Sequence, residues 1–334
     1  MMRKLLATSL LAATALVVPG STHVAEAGGG KIKIATLAPR GSDLEKNFKK
    51  ISKKIKDATG GAWSIKFYPS GVAGDEKDVI RKMRVGQMDA SIITTTGLSQ
   101  IVREVAVLDA PGVINSYKQL DRVKKTMSAE WEKTFAAKGF NLIAWGEGGE
   151  YRLFSKKPIK SITSLKGMRP WLWPESQVMK EVYRSVGATG IPLGVPEVYG
   201  ALQTNMVDAV YATGIAAVGL QWWSKVSYVT EDTTGVLLFG MVMTDKRWQA
   251  LPADVRTILA DEAQKGARSD IKGIRKTDRR SIKKLIKRGI KSTKWDAGAL
   301  AAYDKMSAQV RKRLTGRIYP KALLDKVQKV AGKP

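Results

Sequence analysis

From residue 31 to residue 145, short β-type runs alternate with helical ones. That alternation limits the fold more than any other feature of the chain. Lys31–Leu37 (KIKIATL) alternates apolar and polar side chains as a strand does. Gly41-Ser42-Asp43 supplies an N-cap, Ser42 or Asp43, for a helix over Leu44–Ala58, in which Phe48, Ile51 and Ile55 form an apolar stripe among lysines. Thr59-Gly60-Gly61 ends that helix. Strand Trp63–Tyr68 breaks at Pro69-Ser70-Gly71, and helix Asp75–Val85, strand Met88–Thr94, helix Tyr117–Lys138 and strand Asn141–Trp145 follow. Strands alternating with helices predict βαβ units and a largely parallel sheet. A second α/β set follows Gly148-Gly149. It has helices over Gln177–Val186, Pro196–Thr204 and Val218–Ser224 and short strands over Gly190–Pro192 and Asp208–Ala212. Val236–Thr244 (VLLFGMVMT) is an unbroken apolar run expected of a buried strand. Helices fill most of the remainder from Asp245.

The first 27 residues read differently. Arg3 and Lys4 precede an uncharged apolar run, Leu5–Val18, and Ala25-Glu26-Ala27 has the small-x-small form of a cleavage site. This predicts a secretory signal peptide cut after Ala27 and a periplasmic mature protein. The apolar run is shorter than the roughly 20 residues of a spanning helix. The chain has no cysteine, and its one histidine, His23, lies in this segment. Disulfides, Cys/His zinc sites, Ser-His-Asp triads and Cys-His pairs are thereby excluded from the mature chain. No metal site and no cofactor is expected. The GEGG run at Gly146–Gly149 lacks the spacing of a phosphate-binding loop. Glu147, Glu150 and Glu175 show no paired spacing that would suit carboxylate catalysis, so no enzyme is predicted. The remaining length, about 300 residues, suits two domains.

The formal net charge is +27. Such a balance suggests anionic partners. The lysines, however, are spread along helix faces opposite apolar stripes. Even the densest block, Lys265–Lys294, keeps Ile271, Ile274, Ile282, Leu285 and Ile286 near helical spacing. These faces read as solvated, and no nucleic-acid partner is expected. The competing reading is an exported basic protein that binds anionic surfaces or serves as a ligand sensor.

Tyr151–Pro174 (YRLFSKKPIKSITSLKGMRPWLWP) stands apart. Pro170 and Pro174 bracket Trp171 and Trp173, which makes the backbone extended or irregular. Irregular backbone that carries two large rings is a candidate ligand wall. Trp222-Trp223 is read instead as packing on a helix face.

An ordered set of motifs spans nearly all of the chain after residue 27: Tyr68-Pro69-Ser70-Gly71, Gly74-Asp75-Glu76, Val85-Gly86-Gln87-Met88-Asp89-Ala90, Leu108-Asp109-Ala110-Pro111, Lys157-Pro158-Ile159, Leu165-Lys166-Gly167-Met168, and Pro196–Thr204 (PEVYGALQT) followed by Val207-Asp208-Ala209. This set resembles the DctP-type solute-binding subunits of tripartite ATP-independent periplasmic (TRAP) transporters. The resemblance implies an α/β fold, a two-lobed periplasmic-binding-protein clamshell. It implies crossing inter-lobe strands near Trp145–Arg152 and Thr233–Met243 and a long late helix bracing both lobes. Lobe I would comprise residues 30–148 and 236–275, and lobe II residues 149–235 and 276–334. It further implies a monomer that closes on a small-molecule ligand and delivers it to the small and large permease subunits of the membrane.

Against that family pattern the chain departs at the expected ligand contacts. The family meets an organic acid with two arginines. Arg152 matches the first. Counting without gaps from Leu165-Lys166-Gly167 puts Trp171 at the second, with Arg169 the candidate if the register slips. The family's VDGQENP becomes Val207–Thr213 with Tyr211 and Ala212 in place of Glu and Asn, Leu37 follows the first strand, and Thr94 and Thr95 carry no charge. A planar guanidinium gives a carboxylate two parallel hydrogen bonds, whereas Trp offers one N–H and an apolar face. A cleft of Leu37, Trp171, Trp173, Val195, Tyr211 and Ala212, with Arg152, Thr94 and Thr95 for one anionic or hydroxyl end, predicts a mainly apolar or aromatic ligand such as a monocarboxylic acid. A cation on stacked Trp and Tyr faces is the second option.

Overall fold

A computed structural model of the 334-residue chain describes residues 29–269 and 271–332; the segment read as an export signal, residues 1–27, lies outside them. Among the described residues the strands are β1 (Gly30–Thr36), β2 (Trp63–Tyr68), β3 (Ala90–Thr94), β4 (Phe140–Ser155), β5 (Trp171–Leu172), β6 (Ile191–Pro192), β7 (Ala209–Ala212), β8 (Tyr228–Thr230), β9 (Gly235–Thr244) and β10 (Lys291–Thr293). Eight form one sheet in the order β10-β8-β4-β9-β3-β1-β2, with β7 also paired to β4, while β5 and β6 pair separately.

The first half follows the predicted alternation. β1 lies parallel to both β2 and β3, Ile34 pairing with Phe67 on one side and Ala90 on the other. Helix Asp43–Ala58 starts at Ser42, whose side chain accepts the Glu45 N–H at 3.4 Å. Its Phe48, Ile51 and Ile55 are buried, the stripe the spacing predicts.

The sheet as a whole is mixed rather than largely parallel, because two long strands cross between the halves. β9 runs antiparallel to β3, and β4 runs antiparallel to β9, β7 and β8. β4 is continuous where the sequence suggests a break at Gly148-Gly149. The register instead shifts between Glu147 and Glu150, and Gly149 takes φ +111°, a backbone conformation that residues other than glycine rarely adopt. The buried Asp278 carboxylate holds the bulge by accepting the Glu150 N–H at 3.1 Å and the Ile215 N–H at 3.2 Å.

The expected long late helix is described on both sides of residue 270. Ala253–Ser269 packs on helix Asp43–Ala58 and on β4; Ile271–Lys287 packs on β4 and on helix Gly214–Gly219. Together they brace both halves of the sheet. Helix Ala297–Leu314 packs on helix Gln177–Val186, and helix Lys321–Ala331 returns to helix Tyr117–Ala136. The sequence reading missed β8 and β10 and placed a helix over Val218–Ser224. The observed helix, Gly214–Gly219, ends before Gln221, whose φ of +60° starts a separate turn through Trp222–Lys225.

Candidate functional site

Between the two halves of the sheet lies a cavity of about 830 Å3. One wall is aromatic. The Trp171 indole is buried and stacks on the Tyr211 ring (4.7 Å between centroids, 19° between planes). Trp173 tilts against it at 5.8 Å, and Trp222 meets it edge-on at 5.3 Å. The single donor of Trp171 is already used, since its N–H donates to the Leu193 carbonyl at 2.8 Å. Tyr183 donates its hydroxyl to the Trp171 carbonyl at 2.7 Å, which fixes the backbone beneath the ring. Trp171 therefore offers the cavity an apolar face.

The opposite wall comes from the first half. Leu37 follows β1, Thr94 ends β3, and Glu76 opens helix Glu76–Arg84. Glu76 is buried; its carboxylate accepts the Thr94 N–H at 2.7 Å and the Thr94 hydroxyl at 2.9 Å. Burial nevertheless dominates those hydrogen bonds and pushes its carboxyl up to about 8. At neutral pH Glu76 is thus mostly protonated. Asp75, also raised by burial, reaches across the cleft and accepts the Val195 N–H at 2.8 Å. The two sides approach closely at the rim as well: a Cβ on Gly219 would stand 2.3 Å from Pro39.

Of the residues predicted from sequence, Leu37, Thr94, Trp171, Trp173, Val195, Tyr211 and Ala212 line this one cavity. Arg152, Thr95 and Arg169 do not. Arg152 follows Tyr151, which does line it, and successive strand residues point to opposite faces. The Arg152 guanidinium donates to the Thr230 carbonyl at 3.1 Å and to the Glu231 carbonyl, with Glu150 at 3.8 Å. Thr95 begins the next helix and donates its hydroxyl to the buried Asp109 carboxyl, which burial pushes up to about 6. Arg169 is largely exposed and lies against Asp208 at 3.3 Å.

Sequence reasoning missed Glu76, Tyr151, Phe239 and Trp222, all of which line the cavity. Trp222 is the correction with a visible cause. The break at Gln221 frees it from the predicted helix and turns it onto Trp171, while its neighbour Trp223 packs under Arg288 at 5.1 Å.

The charges around the cavity are uneven. Among the described residues lining it, the cations are Lys46 and Lys50 on helix Asp43–Ala58, and the acids are Asp43, Glu76 and Glu147. Glu147 is neutralised in place: Arg275 binds it at 2.6 Å and Lys124 at 3.2 Å. Arg275 also pairs with Asp121 and lies over the Tyr117 ring at 4.3 Å. No arginine lines the cavity among the described residues.

Two half-sheets joined by crossing strands over a cavity give this chain the two-lobed architecture of a binding protein. It belongs to family 7 of the bacterial extracellular solute-binding proteins, the DctP family, whose profile matches residues 34–316. A relative, the C4-dicarboxylate-binding periplasmic protein DctP of Vibrio cholerae, is 23% identical over 252 residues, 74% of this chain and 76% of that protein. The fold is shared with the sugar acid-binding protein DctPAm of Advenella mimigardefordensis in complex with galactonate, with a TM-score of 0.84 and 18% identity over 91% of this chain and 98% of that one. It is shared also with DctP7 of Bordetella pertussis, an extracytoplasmic solute receptor binding pyroglutamic acid, with a TM-score of 0.82, 18% identity and coverage of 91% and 100%. No helix among the described residues is long and apolar enough to cross a membrane.

Proposed function

We propose that this chain is the solute-binding subunit of a TRAP-type secondary transporter for a largely apolar or aromatic ligand, a monocarboxylate in the leading reading. It is exported by a signal peptide cleaved after Ala27 and works as a periplasmic monomer. Residues 30–148 with 236–275 form one lobe and residues 149–235 with 276–334 the other. The ligand enters the open cleft, contacts both lobes, and shifts the open–closed equilibrium toward the closed form. That form docks on the small and large permease subunits and releases its cargo without turnover.

The observation that carries the ligand class is the Trp171–Tyr211 stack facing a cavity with no arginine among its described lining residues. A carboxylate placed against that stack would meet no arginine among those residues. An uncompensated buried charge costs several kcal/mol. An apolar or aromatic group there gains from burial, and each well-placed ring pair adds about 0.5–1.5 kcal/mol. The test is to purify the processed chain, denature it, and identify the released small molecule by mass spectrometry. An apolar or aromatic compound supports the reading; a small dicarboxylate or a sugar acid overturns it.

A further inference from the structure

Past the aromatic wall, the cavity continues along the crossing strands. Ala144, Gly146 and Gly148 of β4 line it together with Leu237, Phe239 and Met241 of β9. Alternate residues of a strand share a face, and residues directly opposite in an antiparallel pair point the same way. Gly146 pairs with Phe239 and Ala144 with Met241. The large apolar side chains of one strand therefore lie over the small residues of the other, and together they floor an apolar trough. The fit is tight: a Cβ on Gly146 would stand 2.1 Å from the Phe239 ring, and one on Gly148 2.5 Å from Leu237. Leu237 and Phe239 are only half-buried although they belong to a central strand. An apolar stripe left part-open at the middle of a sheet is unusual unless something apolar covers it.

The trough is long. Cavity-lining positions on β4 extend from Ala144 to Tyr151, roughly 20 Å at the rise of a strand. A compact acid of a few carbons does not fill that length. The two halves also line it differently. The tryptophans of the aromatic wall belong to the second half of the chain; the lining cations, Lys46 and Lys50, stand on helix Asp43–Ala58 of the first half, which packs against helix Ala253–Ser269, and Lys46 pairs with Asp43 at 2.9 Å.

We propose that the ligand is an elongated monocarboxylate bound tail first: its apolar end lies on Trp171 and Tyr211, its chain follows the β4–β9 trough, and its carboxylate meets Lys46 and Lys50. This rests on the apolar-ligand reading above and specifies its shape and direction.

The test is calorimetric titration of the ligand-stripped, processed chain with straight-chain acids from butanoate to dodecanoate, with phenylacetate and galactonate as compact comparisons. Affinity should rise about fourfold per added methylene until the trough is full. Phe239→Gln should flatten that rise. Joint Lys46→Glu and Lys50→Glu should weaken the acids about tenfold more than the matching primary alcohols. If phenylacetate binds tightly and chain length has no effect in the wild-type chain, the trough inference falls while the aromatic site stands. If galactonate binds and no apolar acid does, both readings fall. Equal losses for acids and alcohols in the lysine variant would overturn the assigned direction.

Discussion

Glu76 offers a way to read the charge state of the cavity directly. It is buried against Thr94, and burial raises its carboxyl from an ordinary 4.5 to about 8. An acid held protonated by the fold makes the folded chain bind more protons than the unfolded one between those values. Stability therefore falls as pH rises through that window. For this single group the loss between about pH 5 and about pH 8 is roughly 3 to 4 kcal/mol, an upper figure of the right order. Glu76→Gln removes the titration and keeps a carbonyl to accept the Thr94 N–H. The assay is thermal unfolding of ligand-free wild type and variant across that pH range. Asp109, raised to about 6 by burial, gives wild type and variant the same downward slope, and the difference between them cancels it. The variant should gain on the wild type by about 3 to 4 kcal/mol from the acid to the alkaline end, roughly 5 to 10 °C in midpoint for a chain of this size. A flat difference would mean that the Thr94 hydrogen bonds outweigh burial and that Glu76 is ionised throughout. The cavity would then carry a fixed negative charge, and the argument for a nearly neutral interior would fail.

Three other perturbations separate the parts of the site. Trp171→Phe keeps a ring on Tyr211 but strands the Leu193 carbonyl; it should cost about 1–3 kcal/mol in denaturant unfolding and weaken the bound ligand. Arg169→Ala removes an exposed pair with Asp208 and should cost less than about 1 kcal/mol without altering ligand affinity; a loss of affinity matching that of Trp171→Phe would place Arg169 at the ligand. Arg275→Ala leaves the buried Glu147 with Lys124 alone and should cost about 3–5 kcal/mol by chemical denaturation, a loss under about 1 kcal/mol showing that the network is not holding β4.

What the sequence made legible follows from local rules. Up to the start of β4 the helices and strands of the first half were placed within a few residues because caps, glycine stops and apolar stripes all agree there, whereas β4 runs ten residues past its predicted end at Trp145. The aromatic wall was visible because Pro170 and Pro174 exclude regular structure around two tryptophans. The losses lie where one residue changes a direction. The bulge at Gly149 resets the alternation of β4, so that Tyr151 faces the cavity and Arg152 the Thr230 and Glu231 carbonyls. The left-handed Gln221 turns Trp222 onto Trp171 instead of onto a helix face. Neither event has a propensity signature strong enough to override the pattern around it, since a one-residue slip costs little locally and reverses every facing downstream.

Net charge was the least informative guide to the ligand, for a physical reason. A balance of +27 invites an anion-binding site, yet much of it stands on exposed helix faces such as Lys272, Lys276, Arg279, Arg280, Lys283 and Lys287 of helix Ile271–Lys287. Exposed charges are screened over about 8–10 Å in salt and act only weakly on a buried cavity. What the ligand meets is set by the few groups that water does not reach. Here those are a satisfied indole, a mostly protonated Glu76 and a Glu147 matched by Arg275 and Lys124. A strongly cationic protein thus encloses a nearly neutral, apolar interior. On the proposed reading its surface charge would guide encounter with anionic solutes or a membrane partner while the cavity would select on shape and apolar area.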